Sequence, residues 1–206
     1  MSDSIRLSVV CLAAVIAMAL GSFAVAGDAE RGAVLASTCL GCHGIPGYRN
    51  AYPSFRVPML GGQYEDYLVL ALQGYRAGRR SHPTMNAQSA SLSDGDLRDI
   101  AAYFASLGAA KQGEVVTGGR AAAGAEKVAV CSACHGQAGI SPAPNWPILA
   151  GQHRDYLVHA IRQYRDGERQ DPVMRGQVVN LTDQDIEDIA AFYAQQAGLF
   201  SISSSN

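Results

Sequence analysis

Apolar residues recur at helical spacing through most of the chain. Leu68, Ala71, Leu72 and Tyr75 follow i, i+3, i+4, i+7, one stripe of a helix expected to start near Gln63. The same stripe returns as Leu157, Ala160, Ile161 and Tyr164, in a helix expected from about Gln152. A later helix in each stretch opens on a capping pattern, Ser93 with Asp96 and Thr182 with Asp185. It buries Leu97, Ile100, Ala101 and Phe104 in one case, and Ile186, Ile189, Ala190 and Tyr193 in the other. A short Ala-rich helix, with Gly32 or Gly124, precedes both. No stretch alternates apolar and polar residues as a half-buried strand does, so the chain reads as all-α.

The apolar run at the start is of another kind. Leu7 to Leu20 is almost wholly apolar, Ala24-Val25-Ala26 follows, and Gly27-Asp28-Ala29-Glu30 turns polar. That is the layout of a secretory signal peptide over 1–26, removed to leave a mature chain from Gly27. The alternative is a retained anchor, because Leu7 to Ala26 is just long enough to span a bilayer. Cleavage also removes Cys11, which leaves four of the five cysteines.

The two helical stretches are one unit written twice. Cys39-Leu-Gly-Cys-His43 recurs as Cys131-Ser-Ala-Cys-His135, an offset of 92. From Leu60-Gly-Gly-Gln63 onward the offset is 89: Leu149-Ala-Gly-Gln152, Met174 for Met85, and eight identities in fourteen between Leu92–Ala105 and Leu181–Ala194. The first unit therefore carries three extra residues between its His and its LGGQ. Two tandem domains follow, 27–108 and 121–206, joined by a linker over 109–120. At 48% apolar, 17% charged and a net charge of -2, the chain is neither disordered nor a strongly basic nucleic-acid binder. Each unit is too small to stand on its own helices. The Gly44–Met59 segment is a long aperiodic loop that must pack on something, and a large flat apolar ligand would supply the missing core.

The Cys-x-x-Cys-His motifs identify that ligand. Cys39 and Cys42, and Cys131 and Cys134, lie three apart on a helical turn, so each pair shares a face. Two such thiols reach the two vinyl groups of one haem while the next residue, His43 or His135, reaches its iron. A disulfide of the thioredoxin kind lacks its βαβ setting here, and a zinc site falls one ligand short in each unit. We expect two covalent haem c groups.

A second axial ligand for each iron is sought among Met and His. Met85 and Met174 lie 42 and 39 residues after their His, each behind a Pro in the frames His82-Pro-Thr-Met85 and Asp171-Pro-Val-Met174. A thioether favours ferrous iron and suits an electron carrier, whereas gap-filling core is the other use of Met. Duplication in a loop between helices favours ligation for both. Met59 and His82 are rivals, but their counterparts are Ile148 and Asp171. Pro53 and Pro144 are candidates to accept the His Nδ1–H through a carbonyl, or are plain loop prolines. Phe55 and Trp146 either wall the haem or are core. Tyr64, Tyr67, Tyr156 and His153 either reach haem propionates or the domain interface or are solvated helix starts, the favoured reading, and His159 reads as a surface residue. Arg76, Arg79, Arg80, Arg165 and Arg169 either offset propionate charge or cap solvated helix ends.

With CLGCH and CSACH, Ser141–Pro147 leading into Leu149–Leu157, Asp171–Met174 and Leu181–Ala191, nearly all of the mature chain resembles the di-haem cytochrome c4 family. The first unit departs in its longer, Arg-bearing loop. The resemblance implies two cytochrome c-like domains related by a pseudo-twofold, each wrapped around one covalently bound haem, with His/Met iron. It implies a periplasmic carrier of single electrons between redox proteins, from a quinol-oxidising complex or dehydrogenase to a terminal oxidase. It is not an enzyme on that reading, although peripheral membrane association stays open. The alternatives are the electron-accepting subunit of a periplasmic dehydrogenase, such as a flavocytochrome that oxidises sulfide, and a di-haem peroxidase, which needs one open iron.

Overall fold

The computed structural model describes residues 26–202. The expected signal peptide lies outside the described residues except at Ala26. Among the described residues there are helices, turns and isolated bridges but no strands, and no helix is long and apolar enough to cross a membrane.

The first unit holds α1 (Ala29–Leu35), α2 (Ser37–His43), α3 (Glu65–Arg76), α4 (Pro83–Ala90) and α5 (Asp94–Ser106). The second repeats the order with a shorter entry: a 3₁₀ turn (Gly119–Ala121), α6 (Ala122–Ala125), α7 (Ala129–His135), α8 (Arg154–Asp166), α9 (Pro172–Val178) and α10 (Asp183–Ala194). Helices α3 and α8 begin two residues after the glutamines expected to open them. The predicted caps are present, and Ser93–Asp96 and Thr182–Asp185 close full capping boxes. Gly32 and Gly124 let the entry helix cross the last helix of its unit closely, because a Cβ there would strike the carbonyl of Asp99 or Asp188. Each crossing is tied by a base on paired acids: Arg31 on Asp96 and Asp99, and Lys127 on Asp185 and Asp188.

Each unit has its own core. Leu68, Ile100, Ala101 and Phe104 centre the first, and Leu157, Ile186, Ile189, Ala190 and Tyr193 the second. A third cluster lies between them and buries Met59, Ala110, Ile148, Ala150 and Leu199. Two glutamines frame it by exchange. Gln63 of the first unit pairs with both backbone groups of Ile148 at 3.0 and 3.1 Å, and Gln152 of the second pairs with both of Met59 at 3.0 Å. Residues 59 and 148, like 63 and 152, are counterparts, so the exchange is a local pseudo-twofold. The tail breaks that symmetry: Phe200 N–H donates to the Gly61 carbonyl, and Ile202 enters the first core.

Candidate functional site

The Cys-x-x-Cys-His motifs close α2 and α7. No disulfide joins the two cysteines of either pair. Burial pushes the Cys39 and Cys131 thiols up.

Each histidine is anchored on one ring nitrogen. His43 Nδ1 lies 2.9 Å from the Pro58 carbonyl, and His135 Nδ1 lies 2.9 Å from the Pro147 carbonyl. A carbonyl only accepts, so Nδ1 carries the proton and Nε2 is left as the free lone pair. This corrects the expectation for Pro53 and Pro144. Pro53 sits on the exposed loop tip, and the Pro144 carbonyl instead accepts Tyr67 N–H of the other unit at 3.1 Å. The true acceptors lie 89 apart, in the frame already set by LGGQ, so the inserted residues precede Pro58. Burial holds both imidazoles below their ordinary range. The carbonyls oppose this, and at His43 the nearby His82 adds to it. Both rings are therefore neutral near pH 7, as a metal ligand must be.

Met85 and Met174 sit in short helices rather than in open loops. Pro83 and Pro172 start α4 and α9, where a missing N–H costs nothing. The residues ahead are N-caps. His82 Nδ1 accepts Met85 N–H at 3.2 Å, and Asp171 Oδ1 accepts Met174 N–H at 3.0 Å. That gives His82 a local task matching its counterpart. Both methionines are half-buried, whereas Met59 lies in the central cluster opposite Ile148, as the repeat implied.

A polar cluster lies where the units meet. Arg80 and Arg169 form an antiparallel bridge between their backbones. Arg80 Nη2 lies 3.2 Å from the Tyr67 hydroxyl, and Arg169 Nη2 lies 3.3 Å from Tyr156 and 3.5 Å from Tyr75 of the first unit. Tyr75 and Tyr164 offer ring faces to Arg80 and Arg169. Burial would raise the Tyr67 hydroxyl, but the two guanidiniums outweigh it and hold it low, whereas burial pushes Tyr156 up to about 12. Among the described residues neither arginine pairs with a carboxylate, and Arg169, 3% exposed, has an Nε without a partner. A buried arginine with an orphaned donor, beside a half-buried second one, suits a ligand that brings carboxylates of its own. With two tethering thiols and a free Nε2 in each unit, these residues fit a haem. In the sequence Arg80 and Arg169 stand among five undistinguished arginines, Tyr67 and Tyr156 open a helix, and Tyr75 and Tyr164 belong to its apolar stripe. The shared 89 offset of the two Arg–Tyr sets was the available signal.

Comparison with known proteins agrees with this chemistry. The family profile described as Cytochrome c matches residues 29–108 and 121–196. The chain is 36% identical to a cytochrome c4 of Pseudomonas aeruginosa, over 81% of this chain and 88% of that one. It is 29% identical to a thiosulfate dehydrogenase electron acceptor of Thiomonas intermedia, over 78% and 79%. A crystal structure of reduced recombinant cytochrome c4 from Pseudomonas stutzeri superposes with a TM-score of 0.68 at 32% identity, covering 83% of this chain and all of that one.

Proposed function

Since the chain belongs to the di-haem cytochrome c4 family, we propose that it is an exported periplasmic carrier, moving single electrons from a quinol-oxidising complex or dehydrogenase to a terminal oxidase. It is an electron-transfer protein with two covalent haem c groups, not an enzyme. The bound haem supplies a one-electron iron couple, with no bond made or broken in a substrate. The chain's residues tether, ligate and surround it.

Cys39 and Cys42, and Cys131 and Cys134, tether the two groups through thioethers. His43 and His135 would hold the iron through Nε2, and the carbonyls of Pro58 and Pro147 fix the tautomer and raise the ring's basicity. Met85 and Met174 would each supply a thioether to the iron of their unit, and a second ligand from the chain in both units argues against the peroxidase reading. Arg80 and Arg169 hold propionate charge. The domains are taken as 27–108 and 121–206 around the 109–120 linker, behind a cleaved leader. The observation that carries the reading is the same imidazole anchored at 2.9 Å to a proline carbonyl behind both Cys-x-x-Cys motifs.

A second reading rests on the likeness to the Thiomonas acceptor: the chain would then be the dedicated electron-accepting subunit of one periplasmic dehydrogenase rather than a respiratory carrier. Stopped-flow reduction of the purified holoprotein separates the two. Rapid reduction by a quinol-oxidising complex supports the respiratory role. Reduction only by a thiosulfate-oxidising enzyme overturns it in favour of the second.

A further inference from the structure

The three extra residues of the first unit lie in a loop that leaves its own domain. Residues 48–57 double back on themselves: Val57 N–H donates to the Tyr48 carbonyl, Asn50 N–H donates to that of Phe55, and Arg49 bridges Arg56. The doubled loop then closes on α8 of the second unit. Asp155 receives Arg49 at 3.0 Å, Arg56 Nε at 3.0 Å and Arg56 N–H at 3.2 Å. The counterpart of Asp155 in the first unit, Asp66, is exposed and takes no such pair.

Phe55 is the buried centre of this contact, 4% exposed. Its face stacks on His159 of α8, centroids 4.1 Å apart at 17°. Its edge meets His82 of the first unit, 6.2 Å away at 70°. His82 is the cap whose Nδ1 takes Met85 N–H. An unbroken line of contacts thus runs from the second unit, through the loop, to the start of the helix carrying Met85. In the second unit the corresponding cap is Asp171, an exposed residue whose carboxylate takes Met174 N–H and which needs no stacked ring to hold it.

We infer that Phe55 is a positioning residue for Met85, acting through His82, and that Asp155 makes iron ligation in the first unit depend on docking of the second. The inference rests on the Met85 ligation proposed above. An imidazole is a poorer cap than a carboxylate and depends on its packing to stay in place. Opening the loop frees the ring, slackens the first turn of α4 and makes the first thioether easier to displace. The second thioether keeps its own support.

The test titrates the ferric holoprotein with exogenous imidazole and follows the sulfur-to-iron charge-transfer band. Phe55→Ala and Asp155→Asn are expected to give up one half of the band at roughly tenfold lower imidazole than the unaltered protein, the scale of one lost aromatic contact. The other half should hold its midpoint, and Phe55→Tyr should restore the first. Loosening of both halves alike, or of neither, overturns the inference and leaves Met ligation standing. Met85→Ala is the control for the underlying reading: it should remove half of the band before any imidazole is added. A full band in that variant overturns the ligand assignment and this inference with it. If Phe55→Ala fails to accumulate, Asp155→Asn decides alone.

Discussion

The loop Gly44–Met59 of the first unit and the loop Gly136–Ile148 of the second occupy the same place in the repeat but meet the opposite unit with different chemistry. The second loop docks through neutral backbone groups: Tyr64 donates its hydroxyl to the Ser141 carbonyl at 2.6 Å, and Tyr67 N–H donates to the Pro144 carbonyl at 3.1 Å. The first docks through a shared carboxylate and a buried ring. Behind both, the imidazole–carbonyl contact is the same 2.9 Å. The histidine anchors and the glutamine exchange at Met59 and Ile148 are thus repeated while the outer contacts of the two loops are not, which separates what holds a haem from what relates one unit to the other.

The largest break in that comparison comes from the tethers. Replacing Cys39 and Cys42 with Ser should remove one haem and unfold the first unit, whose core is too small alone. Replacing Cys131 and Cys134 should do the same to the second. Haem-to-protein absorbance should halve in each, and circular dichroism should show one unit lost.

A smaller effect sharpens the assignment of methionines. Met59→Ala and Ile148→Ala each open the central cluster and should cost about 2–4 kcal/mol by denaturant titration. Neither should dim the sulfur-to-iron band, because neither side chain is a ligand.

The smallest effect is an acid limb common to both units. The Ser93 hydroxyl and backbone, with Arg31, hold Asp96 down to about 2, and Lys127 with Thr182 does so for Asp185. An unfolded carboxylate titrates near 4, so protons bind the unfolded chain more readily. These groups add stability that is complete above about pH 4 and disappears as pH falls toward 2. Asp96→Asn or Asp185→Asn should flatten part of that limb in an acid-unfolding curve, and the pair together more of it.

Local patterns were readable because their causes are local. The helical stripes, the capping boxes and the Cys-x-x-Cys-His spacing all act within a few residues, and the repeat checked each against its copy. Met85 and Met174 were read as loop residues although Pro at N1 behind a capping side chain is a helix start. The His anchors were misplaced because Pro53 and Pro144 stand 91 apart, off the offset of 89 that Pro58 and Pro147 share with LGGQ. The joint was invisible for a different reason. Phe55 and His159, Arg56 and Asp155, and Gln63 and Ile148 are about 85–104 residues apart, and no periodicity reports which exposed-looking residue meets a partner across that distance. The aperiodic loop did have to pack on something, and the described structure packs its Phe55 on the second unit.

Intact mass spectrometry of the exported protein, from a host with working cytochrome maturation, reads the central claim directly. We expect one polypeptide beginning at Gly27 and carrying the mass of two covalent haem groups. A chain that weighs only its amino acids, or bears a single adduct, would contradict it.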